Sequence, residues 1–278
     1  MKILVTGAKG QMGRALNRLL KNKEDYQLVL TDLDEMDITD EKDVARVMSA
    51  EKPDVVINCA AHTKVDLCED DKENAEMINV VGAKNLAKAS ADIGAKIVHL
   101  STDYIFDGEA KTPYVEESEP NPQSVYGVTK LKSEQVVIAN NPKHFIVRTA
   151  WLYGEGNNFV NTMLRLADHH EEIKVVNDQL GNPTSSIEVA RVIEKLIETE
   201  DYGVYNATCE GQCTWFEFAT RIFEVADRDV KVSPCTSMQY VTRAKRPQYS
   251  VLDNKNLREK FGYTMKHWEE ALKEYFKK

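Results

Sequence analysis

The stretch Ile3-Leu4-Val5-Thr6-Gly7-Ala8-Lys9-Gly10-Gln11-Met12-Gly13 reads as a buried strand running straight into a glycine-rich turn, with a helical pattern, Ala15-Leu16 and Leu19-Leu20, behind it. That order has a physical meaning. The first glycine permits a tight turn, the second lets backbone approach a pyrophosphate, and the third lets a helix pack closely on the sheet, with free amides and the helix dipole facing the anion. The spacing, G-x-x-G-x-x-G, is one residue longer than the common dinucleotide fingerprint. Gly7, Gly10, Gln11, Met12 and Gly13 are therefore expected to hold the diphosphate of a dinucleotide.

Outward from this turn, short apolar runs alternate with longer amphipathic stretches. Leu28–Leu30, Val55–Asn58, Ile97–Leu100 and Phe145–Val147 read as further buried strands with helical patterns between them. The alternation predicts an α/β chain with a Rossmann-type, doubly wound parallel sheet whose ligands bind at the strands' carboxyl ends. Ile173–Val176, a helix over Ile187–Thr199, and Val204–Ala207 are expected to continue that sheet. Residues 151–172 and 208–278 break the rhythm and are assigned to a smaller, interleaved substrate-binding lobe. The dinucleotide-binding domain is then 1–150 plus about 173–207. Trp268, Ala271, Leu272, Tyr275 and Phe276 recur at helical spacing and predict a final helix.

Composition narrows the function. The chain has 278 residues and a formal net charge of −9, with no basic run to neutralise a phosphate backbone, so nucleic acid is not an expected partner. Met1-Lys2 leads into an apolar run far too short for a signal peptide or a membrane span, which predicts a cytoplasmic protein. The 5 cysteines lack a C-x-x-C pair and read as reduced thiols. No metal site is expected. His169-His170 beside Glu171-Glu172 reads as a solvated helix end.

Asp32 follows the second strand about 20 residues beyond Gly13, where a carboxylate accepts hydrogen bonds from an adenosine ribose. It would repel a 2′-phosphate, which favours NADH, while Lys9 and Arg14 offset that repulsion and leave NADPH open. Asp37 and Ile38 are placed beside the adenine. Ala60, Ala61, His62 and Thr63, after the third strand, and Leu100, in the fourth, are placed along the cofactor; His62 reads equally well as structural. Ser101-Thr102-Asp103-Tyr104 then brings hydroxyls and a carboxylate to the sheet's carboxyl edge. Tyr126 and Lys130 lie one helical turn apart, so an ammonium is expected near the phenol, lowering its pKa. In this reading Tyr126 gives a proton to a carbonyl oxygen, Thr102 polarises that oxygen, and Lys130 serves both phenol and cofactor. A half-exposed helical pair behind a capped turn is the plainer alternative.

These motifs carry a family resemblance over nearly the whole chain. With Asp37-Ile-Thr-Asp40, Pro53-Asp-Val-Val-Ile-Asn58, Val65-Asp66 and Glu69, Ser101 through Gly108, Tyr126-Gly-x-Thr-Lys130, Arg148 through Gly154, Val176-Asn-Asp-Gln179 and Arg246-Pro247, the sequence resembles the extended short-chain dehydrogenase/reductases. Within them it is similar to the dTDP-4-dehydrorhamnose reductase family. The resemblance implies reduction of dTDP-6-deoxy-L-lyxo-4-hexulose to dTDP-L-rhamnose by NADH or NADPH, with Tyr126 as proton donor. It also implies Thr102, Asp103, Val65, Trp151 and Arg246 at the nucleotide sugar; Trp151 reads as well as an inter-lobe aromatic. Arg243, Lys245 and Arg246 form a short basic cluster suited to a diphosphate, or to a solvated face. A homodimer stays open, and the metal that supports dimers of some relatives finds no local match. Related dehydratases place an Asp-Glu pair where this chain has Asp103-Tyr104, which removes the base that elimination needs. An epimerase is less sharply excluded, and a non-catalytic NAD(P)-binding regulatory subunit, like that of methionine adenosyltransferase, shares the fold.

Overall fold

In a computed structural model describing residues 1–277, the opening apolar run is β1 (Lys2–Thr6). The strands longer than two residues continue as β2 (Gln27–Leu30), β3 (Val55–Asn58), β4 (Lys96–Thr102), β5 (His144–Thr149), β6 (Glu172–Val176), β7 (Gly203–Asn206) and β8 (Lys231–Cys235). Six of these form the central sheet in the order β7-β5-β4-β3-β1-β2, with every neighbouring pair parallel. The chain passes from β1 through α1 (Gln11–Leu20) to β2 on one side. It then returns through α2 (Glu41–Glu51) to β3 on the other. The carboxyl ends of β1 and β3 therefore sit at the point where the winding reverses, where an open α/β sheet leaves a crevice.

Further helices are α3 (Gly82–Asp92), α4 (Val125–Asn140), α5 (Phe159–Ala167), α6 (Ser186–Ile197), α7 (Trp215–Val225), α8 (Lys255–Phe261) and α9 (Trp268–Phe276). Strand alternation splits the apolar residues between the two faces. Ile3, Val5, Val55, Ile57, Val98 and Val147 pack with Leu16, Val189 and Ile193 of α1 and α6. Leu4, Val56, Ile97 and Ile146 pack with Val44, Leu86 and Val137 of α2, α3 and α4. Both faces are covered, which is why these strands read as continuous apolar runs rather than alternating ones.

Two expectations need correction. Ile173–Val176 does form a strand, but β6 pairs in parallel with β8 and lies outside the central sheet. Its exposed Glu172 and Lys174 alternate with buried Ile173 and Val175, so one face stays in water; a central strand has no such face. The sheet resumes only at β7. The second correction concerns the tail: α8 belongs with the main core, because Leu257 and Met265 join the Ile3 side of the sheet. A separate core forms from Tyr153, Val160, Ile173, Phe218, Trp268 and Leu272, bringing together α5, β6, α7 and α9. Among the described residues, no helix is long and apolar enough to cross a membrane.

Candidate active site

The glycine turn is shaped by close backbone approach. Gly7 has φ +59°, and a side-chain carbon there would lie 2.8 Å from the Ala60 nitrogen at the end of β3. At Gly13 the same carbon would lie 2.4 Å from the Ala8 Cα, so α1 sits directly on the turn. Gly10 caps α1 without a side-chain hydrogen bond, and the first turn carries no acidic residue. Its amides are left for an anion. Asp32 Oδ2 accepts the Lys9 N–H at 2.9 Å, Lys9 Nζ pairs with Asp34 at 2.7 Å, and the Arg14 guanidinium donates to the Lys9 carbonyl at 2.8 Å. This cradle of bare backbone beside a carboxylate fits a dinucleotide.

From the turn a cleft of about 770 Å³ runs along the sheet's carboxyl edge. Gly7, Gly10, Gln11, Met12, Asp32, Asp37, Ile38, Ala60, Ala61 and Thr63 line one part, while Val65, Leu100, Thr102, Asp103, Tyr126, Lys130 and Trp151 line the rest. Three expected residues lie elsewhere. Gly13 supports the turn from beneath. His62 is occupied structurally, its N–H donating to Asn79 Oδ1 at 2.8 Å and its Nδ1 lying 3.0 Å from Cys68 Sγ. Arg246 lines an adjoining cavity of about 380 Å³.

At the reaction end, Ser124 caps α4 by accepting the Gly127 N–H at 3.1 Å, which sets Tyr126 in the first turn and Lys130 in the next. The expected pairing of ammonium with phenol is corrected here. Lys130 Nζ donates to the Leu100 carbonyl at 2.6 Å and lies 3.3 Å from His99 Nε2. Burial pushes Lys130 down to about 8, and it pushes the Tyr126 phenol above its ordinary value despite a hydrogen bond with Thr102. Burial likewise pushes Asp103 up to about 7, against the Thr102 hydroxyl that donates to its Oδ1 at 2.9 Å. Tyr104 packs edge-on against Tyr126, with ring centroids 5.5 Å apart. Its phenol, pushed up to about 12 by burial, accepts from Arg246 at 3.1 Å, and Arg246 pairs with Asp66 at 2.8 Å.

Residues 1–278 match the family described as RmlD substrate binding domain. A dTDP-4-dehydrorhamnose reductase from Aggregatibacter actinomycetemcomitans is 41% identical over 285 residues, covering 98% of this chain and 97% of that protein. The chain belongs to the dTDP-4-dehydrorhamnose reductase family. A solved structure of such a reductase from Clostridium acetobutylicum is 52% identical with a TM-score of 0.97, covering 100% of this chain and 99% of that one. Another, from Bacillus anthracis in complex with NADP, is 43% identical with a TM-score of 0.97, covering 99% and 98%.

In this reductase-family chain the cleft is also lined by Thr149 and Ala150, which lead into Trp151 and which sequence reasoning did not single out. His99 of β4, likewise missed, is buried behind Lys130 outside the cleft wall. A lone histidine inside the apolar run Ile97–Leu100 was the available signal for His99. Trp151 has φ +45°, and its indole stacks at 3.5 Å on Trp215 of α7, a residue with no motif around it. Gly181 makes room for that indole, since a side-chain carbon there would lie 2.4 Å from Trp151 Cε2. The basic cluster is neutralised within the chain: Arg243 pairs with Asp70, Lys245 with Glu109 at 3.5 Å, and Arg246 with Asp66.

Proposed function

We propose that this chain reduces the 4-keto group of dTDP-6-deoxy-L-lyxo-4-hexulose to give dTDP-L-rhamnose, using NADH or NADPH. One observation carries the reading: Thr102, Asp103, Tyr126 and Lys130 converge in the same cleft as the bare glycine turn. Gly7, Gly10, Gln11 and Met12 would hold the dinucleotide's diphosphate and Asp32 its adenosine ribose. When bound, the reduced cofactor supplies hydride to the keto carbon. The chain's own residues then manage the oxygen. Reduction needs a loaded proton donor, and a Tyr126 phenol held above its ordinary value by burial keeps its proton at neutral pH. Thr102 stands beside it and polarises the oxygen once its hydroxyl hydrogen turns from Asp103 to the substrate, and Asp103, held near 7 by burial, carries only part of a negative charge at neutral pH.

Elimination chemistry is disfavoured by the same geometry. The position after Asp103 is a phenol hydrogen-bonded to Arg246, and no second carboxylate stands there to act as base. Residues 151–172 and 208–277, apart from α8 on the main core, would supply the wall that receives the sugar nucleotide, with Trp151 facing the sugar. Arg246 would meet the diphosphate from the adjoining cavity. We expect the enzyme to work in the cytoplasm, without a nucleic-acid partner. The test is direct: the purified chain is supplied with the hexulose and either cofactor, and cofactor oxidation is followed. Turnover with formation of the 4-hydroxy sugar supports the reading; no oxidation of either cofactor ends it.

A further inference from the structure

Behind Lys130 lies a run of buried polar groups that the reduction, as described, does not use. His99 and Asn58 are each 1% exposed and Ser133 is fully buried. The ring's tautomer follows from its neighbours. Asn58 Oδ1 accepts from the Thr6 hydroxyl at 2.8 Å and from the Ala60 N–H at 3.1 Å, so Asn58 Nδ2 is the atom that faces His99 Nδ1, 3.1 Å away. An amide nitrogen only donates. Nδ1 must therefore offer a lone pair, and the hydrogen of the neutral ring sits on Nε2.

That Nε2–H has two neighbours, Ser133 Oγ at 2.8 Å and Lys130 Nζ at 3.3 Å. Ser133 gives its own hydrogen to the Lys130 carbonyl at 2.6 Å, which leaves its oxygen free to accept. Lys130 is different in its two charge states. An ammonium has no lone pair, so it opposes Nε2–H, whereas a neutral amine accepts from it. The bond to the Leu100 carbonyl at 2.6 Å anchors the nitrogen in either state.

We propose that His99 is a positioning residue for the reduction: an Nε2–H donor, locked by the Asn58 amide and shared between Ser133 and Lys130, that sets how readily Lys130 gives up its proton. The role in catalysis rests on the reading of Tyr126 and Lys130 as the reaction centre. The other groups facing Lys130 do not take over this task. From α4, Tyr126 is an un-ionised phenol, and Glu134 is held by Arg148 at 2.7 and 3.0 Å and by the Ser101 hydroxyl. From the end of β3, burial keeps the Cys59 thiol neutral, pushing it up to about 12. Beyond β4, Asp103 is engaged by Thr102. Burial and the nearby ammonium hold His99 well below its ordinary value, so the ring stays neutral while Lys130 titrates.

The test needs no cofactor. In protein carrying ¹³C-lysine and ¹⁵N-histidine, the Lys130 Cε shift reports its titration and the ring nitrogens report the tautomer of His99. Ser133→Ala removes the rival acceptor and turns Nε2–H fully onto Lys130, so Lys130 is expected to titrate ~0.5–1 pH unit lower. His99→Leu removes the donor and is expected to move the titration up by a similar amount. The high-pH limb of kcat/KM for the keto sugar should move with Lys130 in each variant. An Nδ1–H signature for His99 in the wild-type chain overturns the proposal, even if His99→Leu does not fold. So does an unchanged Lys130 titration in Ser133→Ala. If Lys130 shifts as expected while the wild-type chain turns over no keto sugar, the reductase reading and the catalytic role of His99 fail, and its tautomer and control of the Lys130 proton stand.

Discussion

The two ends of the cleft are built by different means. The dinucleotide end is made of backbone: Gly7 and Gly13 bring main chain to places where a side-chain carbon would collide. The reaction end is made of side chains whose charge states burial has moved, Tyr126 upward, Asp103 to about 7 and Lys130 to about 8. The first end is a matter of shape and tolerates no added carbon at its tightest points. The second is a matter of proton affinity, and isosteric changes there should preserve shape while altering chemistry.

Gly13→Val tests the first half most severely. With backbone 2.4 Å from the position of a new side-chain carbon, α1 or the turn must move, because the obstruction is main chain and not the end of a flexible side chain. Loss of measurable cofactor binding by calorimetry is expected, together with a lowered melting temperature. Tight binding by a folded Gly13→Val protein would show that the turn is not the diphosphate site. Tyr126→Phe makes the matching test at the other end. It removes one hydroxyl, and kcat is expected to fall ~100- to 10,000-fold, the usual contribution of a positioned general acid. Cofactor affinity should stay close to that of the wild-type chain. Normal turnover would remove Tyr126 as proton donor.

The contrast also explains what the sequence made legible. A backbone device must be written as glycines at fixed spacing after a strand, so the turn and the first crossover could be read from Ile3–Gly13 alone. The pair Tyr126–Lys130 was legible as two residues one turn apart, but not the direction in which Lys130 points. That depends on the Leu100 carbonyl and His99, which come from a strand about thirty positions earlier. Larger separations along the chain hid the neutralisation of Arg243 and Arg246 by Asp70 and Asp66, and the stacking of Trp215 on Trp151. The strand over Ile173–Val176 was legible, but its exclusion from the central sheet depends on a solvated face, Glu172 and Lys174, that only pairing with β8 makes decisive.

Asp103→Asn separates charge from shape at the reaction end. The carboxyl's folded value near 7 lies above that of an unfolded aspartate, so the folded chain binds this proton more tightly. Its stabilising contribution is present below about pH 4 and is lost as pH rises through about 7. Asparagine keeps an acceptor for Thr102 and has no such titration. The wild-type chain should therefore lose stability relative to Asp103→Asn between pH 5 and 8, by an amount on the order of 2 kcal/mol, read by urea unfolding at each pH. Parallel pH profiles for the two proteins would mean that Asp103 is ionised throughout and that burial does not control it.

The smallest expected effect returns to the dinucleotide end, at its one charged selector. Asp32 accepts the Lys9 N–H, and Lys9 Nζ is held by Asp34, so the cation beside Asp32 is already partly compensated. A 2′-phosphate would meet the Asp32 carboxylate with only Arg14 and a shared Lys9 to offset it, whereas a ribose hydroxyl would gain a charge-assisted hydrogen bond. Asp32→Ala removes the repulsion and the acceptor together. The ratio of kcat/KM for NADPH over NADH should rise about tenfold, the equivalent of one hydrogen bond to a charged group. An equal cofactor ratio in both proteins would place the ribose away from Asp32 and leave the dinucleotide end with shape alone as its determinant.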